Sequence, residues 1–168
     1  MTIKMPIKML TMHLIPLLCA LSAAVALPRH QASTCCFTLQ DASSGKILEQ
    51  EAQTGFLFLN SPQPDGRYCL GRTDQNKVLR DAMNNACIIN SARLFQCLDP
   101  TPGFSRWTVQ QSGGRSLLAV DGSTAFRACP SGAGSEMVWG PRGGGGSGCR
   151  DMRIAASRLE GACRGLGG

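Results

Sequence analysis

From Cys36 to Cys129 short apolar runs alternate with clusters of Pro, Gly, Ser, Asn and Asp. The clusters fall at DASSG (41–45), NSPQPDG (60–66), DPTPG (99–103), QQSGG (110–114), DGS (121–123) and PSGAG (130–134). No apolar pattern at i, i+3, i+4, i+7 persists beyond two helical turns. Short strands joined by turns are the structure this pattern predicts. The expected strands are 36–40, 55–60, 68–70, 86–90, 93–98, 107–110, 117–120 and 126–129. Segment 149–157 reads as a further strand or a short helix, with the strand favoured because Met152 and Ile154 alternate with Arg153. Asn90-Ser91 is the expected turn between the fourth and fifth strands.

Three segments align as a weak internal repeat: KILEQEAQTGFLF (46–58), KVLRDAMNNACII (77–89) and SLLAVDGSTAFRA (116–128). Each opens on two apolar residues, and Phe56, Cys87 or Phe126 follows eight positions after the second. Each reads as a hairpin. The expectation is a single compact all-β domain, held by disulfides and built from short hairpins. Its architecture is either a β-sandwich or a β-trefoil-like barrel.

The N-terminus changes what the cysteines mean. Lys4 and Lys8 precede an uncharged apolar run from Met9 to Leu27, and Ala24-Val25-Ala26 has a small-x-small exit. These are the parts of a secretory signal, so residues 1–26 are expected to be removed. Residues 27–34 then form a short tail, 35–163 a cysteine-rich β domain, and 164–168 a C-terminal tail. Cys19 leaves with the signal. Cys35, Cys36, Cys69, Cys87, Cys97, Cys129, Cys149 and Cys163 remain, an even set suited to a disulfide framework in an oxidising compartment. Their pairing stays open, except that the neighbours Cys35 and Cys36 are expected to reach distant partners rather than each other. Cys87 and Cys97 need not be each other's partners.

Charge and chemistry narrow the function by exclusion. The region after residue 26 holds 15 basic and 11 acidic residues, a net charge of about +4, and thirteen of the basic residues are scattered arginines. No basic cluster interleaved with aromatics points to nucleic acid. The histidines are His13, in the signal, and His30, in the tail. A His-based nucleophilic triad or a His-ligated metal centre therefore lacks its parts. The cysteines contain no C-x2-C pair, which structural zinc and thiol-redox motifs favour. Asp65, Asp74, Asp81, Asp99, Asp121 and Glu136 are the candidate carboxylates for sugar hydrolysis, but turn roles account for those beside Gly or Pro. PRGGGGSG (141–148) lacks the Lys-Ser/Thr of a phosphate-binding loop, and 143–148 reads as a flexible Gly-rich loop. Tyr68, Trp107 and Trp139 are the candidate sugar contacts, with core packing as their ordinary role. The expectation is no catalytic residue, cofactor or metal. No membrane attachment is expected after signal cleavage, and the oligomeric state is open.

The run YCLGRTDQNKVLRDAMNNACIINSARLFQC, residues 68–97, resembles a fungal secreted family related to the C-terminal domain of PIR-type cell-wall mannoproteins (proteins with internal repeats). The resemblance rests on Val78-Leu79-Arg80-Asp81, Cys87-Ile88-Ile89 and Leu94-Phe95-Gln96-Cys97. It continues through PTPGFS (100–105), LAVDGSTAFRACP (118–130) and Cys149, Met152, Ile154 and Cys163. The CCFTL start is similar to the secreted branch of that family. The family's Gly-Arg turn is replaced by Met83-Asn84-Asn85, and its Gln-rich repeats are absent, so covalent wall attachment does not carry over. The resemblance implies a secreted, extracellular or cell-wall-associated, non-enzymatic structural protein, with wall polysaccharide as its candidate partner. An extracellular carbohydrate-binding module or a secreted effector is the alternative.

Overall fold

The computed structural model describes residues 33–164; the expected signal and most of the N-terminal tail lie outside them. Alternation governs the longer strands. In β1 (Thr34–Asp41), Cys35, Phe37 and Leu39 turn inward and are fully buried, with Asp41 at the inward end. The same alternation runs through β4 (Arg67–Gly71), β7 (Phe95–Asp99) and β8 (Trp107–Ser112). The other strands are β2 (Glu49–Gln50), β3 (Leu57–Leu59), β5 (Leu79–Asp81), β6 (Ala86–Ile89), β9 (Arg115–Val120), β10 (Phe126–Pro130), β11 (Glu136–Trp139), β12 (Arg150–Met152) and β13 (Ile154–Gly161). The expected strand at 149–157 is thus two strands parted at Arg153, whose carbonyl accepts the Ala42 N–H at 2.8 Å.

All the strands pair antiparallel, in an eight-stranded sheet ordered β7-β6-β5-β4-β1-β13-β9-β8 and a five-stranded sheet ordered β12-β10-β11-β3-β2. The arrangement is all-β and sandwich-like. Barrel closure, the alternative expected from the sequence, does not form: β8 ladders with β9 and meets the chain before β5 through one bond, Trp107 N–H to the Lys77 carbonyl at 2.8 Å. Between the sheets lies one core that includes Leu48, Leu57, Leu59, Leu79, Leu118 and Ile154. At its centre the rings of Phe95, Trp107 and Phe126 stack, with centroids 4.7, 6.1 and 6.5 Å apart.

Two of the three expected hairpins form, β2–β3 in segment 46–58 and β5–β6 in segment 77–89. Segments 77–89 and 116–128 cover β5–β6 and β9–β10, each a strand, a turn and a second strand, with Asp81 at the end of β5 and Asp121 just after β9; β5 and β6 pair, whereas β9 and β10 lie in different sheets. Segment 46–58 is out of phase, because it covers β2–β3. The matching unit is β1 with its turn. In register, Asp41, Asp81 and Asp121 stand 40 residues apart. The apolar residues that misaligned the first copy, Ile47 and Leu48, imitate the dipeptides 78–79 and 117–118. The next hairpins, β2–β3, β6–β7 and β10–β11, touch in a ring. Bridges link Phe56 to Gln96 and Leu94 to Trp139, and the β3–β11 ladder completes it.

All eight half-cystines pair: Cys35–Cys163, Cys36–Cys69, Cys87–Cys97 and Cys129–Cys149. Neighbouring residues of a strand face opposite ways. Cys35 therefore points into the core toward the end of the chain, while Cys36 crosses to its ladder partner Cys69 on β4. The partner of Cys87, left open by the sequence, is Cys97, directly opposite it across β6–β7. Four disulfides are the construction of a stable extracellular protein.

Candidate functional site

The three aromatic residues expected as sugar contacts lie largely inside. Trp107 is fully buried, and its indole N–H donates to the Cys87 carbonyl at 2.7 Å. Tyr68 is also fully buried, with a hydroxyl that has no hydrogen-bond partner among the described residues. Burial, and then the charge of Asp81, push that phenol above its ordinary pKa. Trp139 is half-buried, and its indole nitrogen is unpaired. Tyr68 and Trp107 offer no ring face to solvent. The Gly-rich loop partly covers Trp139. Gly143 and Gly144 are buried, and their carbonyls accept from the Arg127 guanidinium. A Cβ on Gly144, whose φ is +68°, would stand 2.5 Å from the Cys129 sulfur and 3.3 Å from the Trp139 ring. The first two glycines of the loop are packing positions, and 145–148 are exposed.

The carboxylates hold turns and ion pairs. Asp74 accepts the N–H groups of Asn76 and Val78, and Asp99 accepts that of Thr101. Asp81, nearly buried, accepts from the backbone of Met83 and Asn85 and from the Asn85 and Gln50 side chains, at 2.7–3.1 Å. Asp65 forms an isolated bridge with Glu49. Sequence reasoning overlooked Asp41, whose signal was the 40-residue interval. Its carboxylate is fully buried and accepts from the Ser43 backbone and hydroxyl, the Ser44 hydroxyl and Arg150 Nη1, at 2.8–2.9 Å. Arg150 also holds Glu136 in a two-pronged pair at 2.8 and 2.9 Å, so one guanidinium ties β1 of the large sheet to β11 of the small one. Burial would raise the Asp41 carboxyl, but the bonds from Ser43, Ser44 and Arg150 outweigh it and hold the pKa below the ordinary value. The Arg150 hydrogen bond does the same for Glu136. Both groups are ionised at neutral pH, so neither is poised as a general acid.

The third Asp of the repeat behaves differently. Asp121 is exposed, and one carboxylate oxygen accepts the Arg106 N–H at 3.0 Å. It lies on the wall of an open cleft of about 530 Å³, lined by Ile89, Arg93, Val120, Asp121, Ser123, Ala125, Pro141 and Arg142. Three turns build this cleft: the β6–β7 turn, the β9–β10 turn and the start of the Gly-rich loop. Gly140 N–H donates to the Arg93 carbonyl at 2.8 Å and ties the first turn to the third. The cleft has an apolar floor of Ile89 and Val120. It has two guanidinium groups, neither of which makes a hydrogen bond or ion pair among the described residues. Eight described non-glycine residues have positive φ, and three of them line this cleft: Arg93 at 69°, Asp121 at 50° and Arg142 at 63°. A non-glycine residue in that region costs on the order of 1 kcal/mol, and such strain gathers at functional sites. No protein-family model, curated protein or solved structure matches this chain.

Proposed function

We propose that this is a secreted, non-catalytic, cell-wall-associated protein of fungal type, related to the C-terminal domain of PIR-type mannoproteins. Its role is to present a durable folded surface outside the cell. One observation carries the reading: the cysteines left after a secretory signal are all paired, and one bond joins β1 to residue 163 at the far end of the fold. In that setting a disulfide framework resists reduction and local opening. Fractionation of producing cells tests it. The protein is expected in the medium or in the detergent-released wall pool, with no reactive thiol before reduction and eight after. Recovery in the cytosolic fraction with free thiols would overturn the reading. A second reading, an extracellular carbohydrate-binding module, is favoured by the cleft beside Asp121, which combines an apolar floor with unpaired polar groups.

A further inference from the structure

We infer that the cleft between the β6–β7 turn, the β9–β10 turn and Pro141-Arg142 binds a carboxylate-bearing sugar, with Arg93 and Arg142 taking the carboxylate. The inference rests on the carbohydrate-binding reading and adds the ligand class.

The side chains explain the class. A guanidinium offers a planar fork of donors that fits a carboxylate edge-on. Arg93 and Arg142 stand on the same cleft, and neither guanidinium has a partner among the described residues. The backbones that carry them are fixed to each other. Gly140 N–H donates to the Arg93 carbonyl, Gly143 N–H donates to the Gly140 carbonyl at 3.1 Å, and a Cβ on Gly143 would stand 2.7 Å from that of Arg93.

Glycine would suit both positions better, and this chain uses glycine at ten other described positions with positive φ. Arginine at two strained positions of one cleft therefore points to work done by the side chain. The repeat supports this. Asp41 and Asp81 are consumed by four hydrogen bonds each, whereas among the described residues Asp121 keeps one carboxylate oxygen free of any.

Asp121 also selects among anions. Two arginines and one aspartate leave the cleft a single net positive charge, which matches a monoanion. A phosphate dianion would sit against the Asp121 carboxylate. A sugar acid instead gives that carboxylate hydroxyl donors to accept from, and it lays ring C–H groups on Ile89. The volume lies within the range of small-ligand sites.

The test is calorimetric titration of the purified, oxidised protein with trigalacturonate. Cellotriose serves as the neutral control and inorganic phosphate as a competitor. Wild type is expected to bind trigalacturonate, with affinity falling as salt rises. Arg93→Gly and Arg142→Gly should each weaken binding at least about tenfold while melting at or above the wild-type temperature. Arg93→Lys should retain part of the affinity. Binding of cellotriose as tight as that of trigalacturonate, indifferent to both Gly variants, would overturn the ligand class and leave the carbohydrate-binding reading standing. Displacement by phosphate at equal concentration would reduce the site to a general anion site and overturn the inference. No binding of either oligosaccharide would overturn both. If either Gly variant melts well below wild type, its arginine serves packing, and the inference fails.

Discussion

Asp41 is a charged side chain with no exposed surface, and what surrounds it decides whether that is stable. Four hydrogen bonds satisfy its oxygens, and Arg150, itself shared with Glu136, neutralises it. Replacing Arg150 with Met leaves the carboxylate buried without its counter-charge. Breaking a fully buried pair costs about 3–5 kcal/mol. The Arg150 side chain is 37% exposed, and the serines remain, so the expected loss is about 2 kcal/mol in urea denaturation. The pH dependence follows from the directions of the shifts. Asp41 and Glu136 have folded pKa values below their unfolded ones. Their contribution is complete above the unfolded carboxylate range of about 4 and is lost as pH falls through the lower folded values. Wild type should therefore lose urea resistance steeply below about pH 4, and Arg150→Met should show a shallower decline. An equal slope in the two proteins would show that this cluster does not govern acid stability. Tyr68 has the opposite character. Its hydroxyl is buried and unpaired, so Tyr68→Phe removes an uncompensated polar group and should raise stability by about 1 kcal/mol in the same denaturation.

Hairpins were the most legible elements, and alternation over four or more residues was the reason. All eight expected strands exist, and most boundaries lie within two residues of their expected places. The strands absent from the expected set, at 49–50, 79–81 and 136–139, have two to four residues. That is too few for a period of two to stand out from chance. The framework of the site was readable only in part. The cysteine set was legible from its even count, whereas the cleft is not local in sequence. It joins residues 89–93, 120–125 and 141–142, and nothing in any one segment signals the others. Tyr68 and Trp107 drew attention for the chemistry of their rings, yet their inward positions on alternating strands had already fixed them in the core. Turn chemistry was legible at Asn90. Its side chain accepts the Leu94 N–H at 2.9 Å and donates to the Gln96 side chain at 3.0 Å. Asn90→Ala should cost about 1 kcal/mol, read as a lower thermal midpoint with unchanged far-ultraviolet circular dichroism. A wild-type midpoint would mean that the Cys87–Cys97 bond alone sets this turn.

Across the whole molecule, the disulfides divide into short clasps and one long tie. Cys87–Cys97 and Cys129–Cys149 close loops of 10 and 20 residues, Cys36–Cys69 one of 33, and Cys35–Cys163 one of 128. If cross-links act by restricting the unfolded chain, their contribution grows with the logarithm of loop length. On that basis the 10-residue clasp contributes about 3 kcal/mol and the 128-residue tie about 5 kcal/mol. The local packing of the two differs less than these figures. Cys35, Cys87 and Cys97 are all buried in the one core, and Cys163 packs against it. Paired Cys→Ala replacements therefore separate loop length from burial. Cys35→Ala with Cys163→Ala should lower the guanidinium midpoint more than Cys87→Ala with Cys97→Ala does. The larger loss is expected although the clasp lies between two ladder-paired strands and the tie holds only the ends of the fold. A reversed order would mean that stability is set by strain and contacts at each bridge. The expected order would identify the 35–163 tie as the larger contributor to the stability of the fold, through the loop it closes.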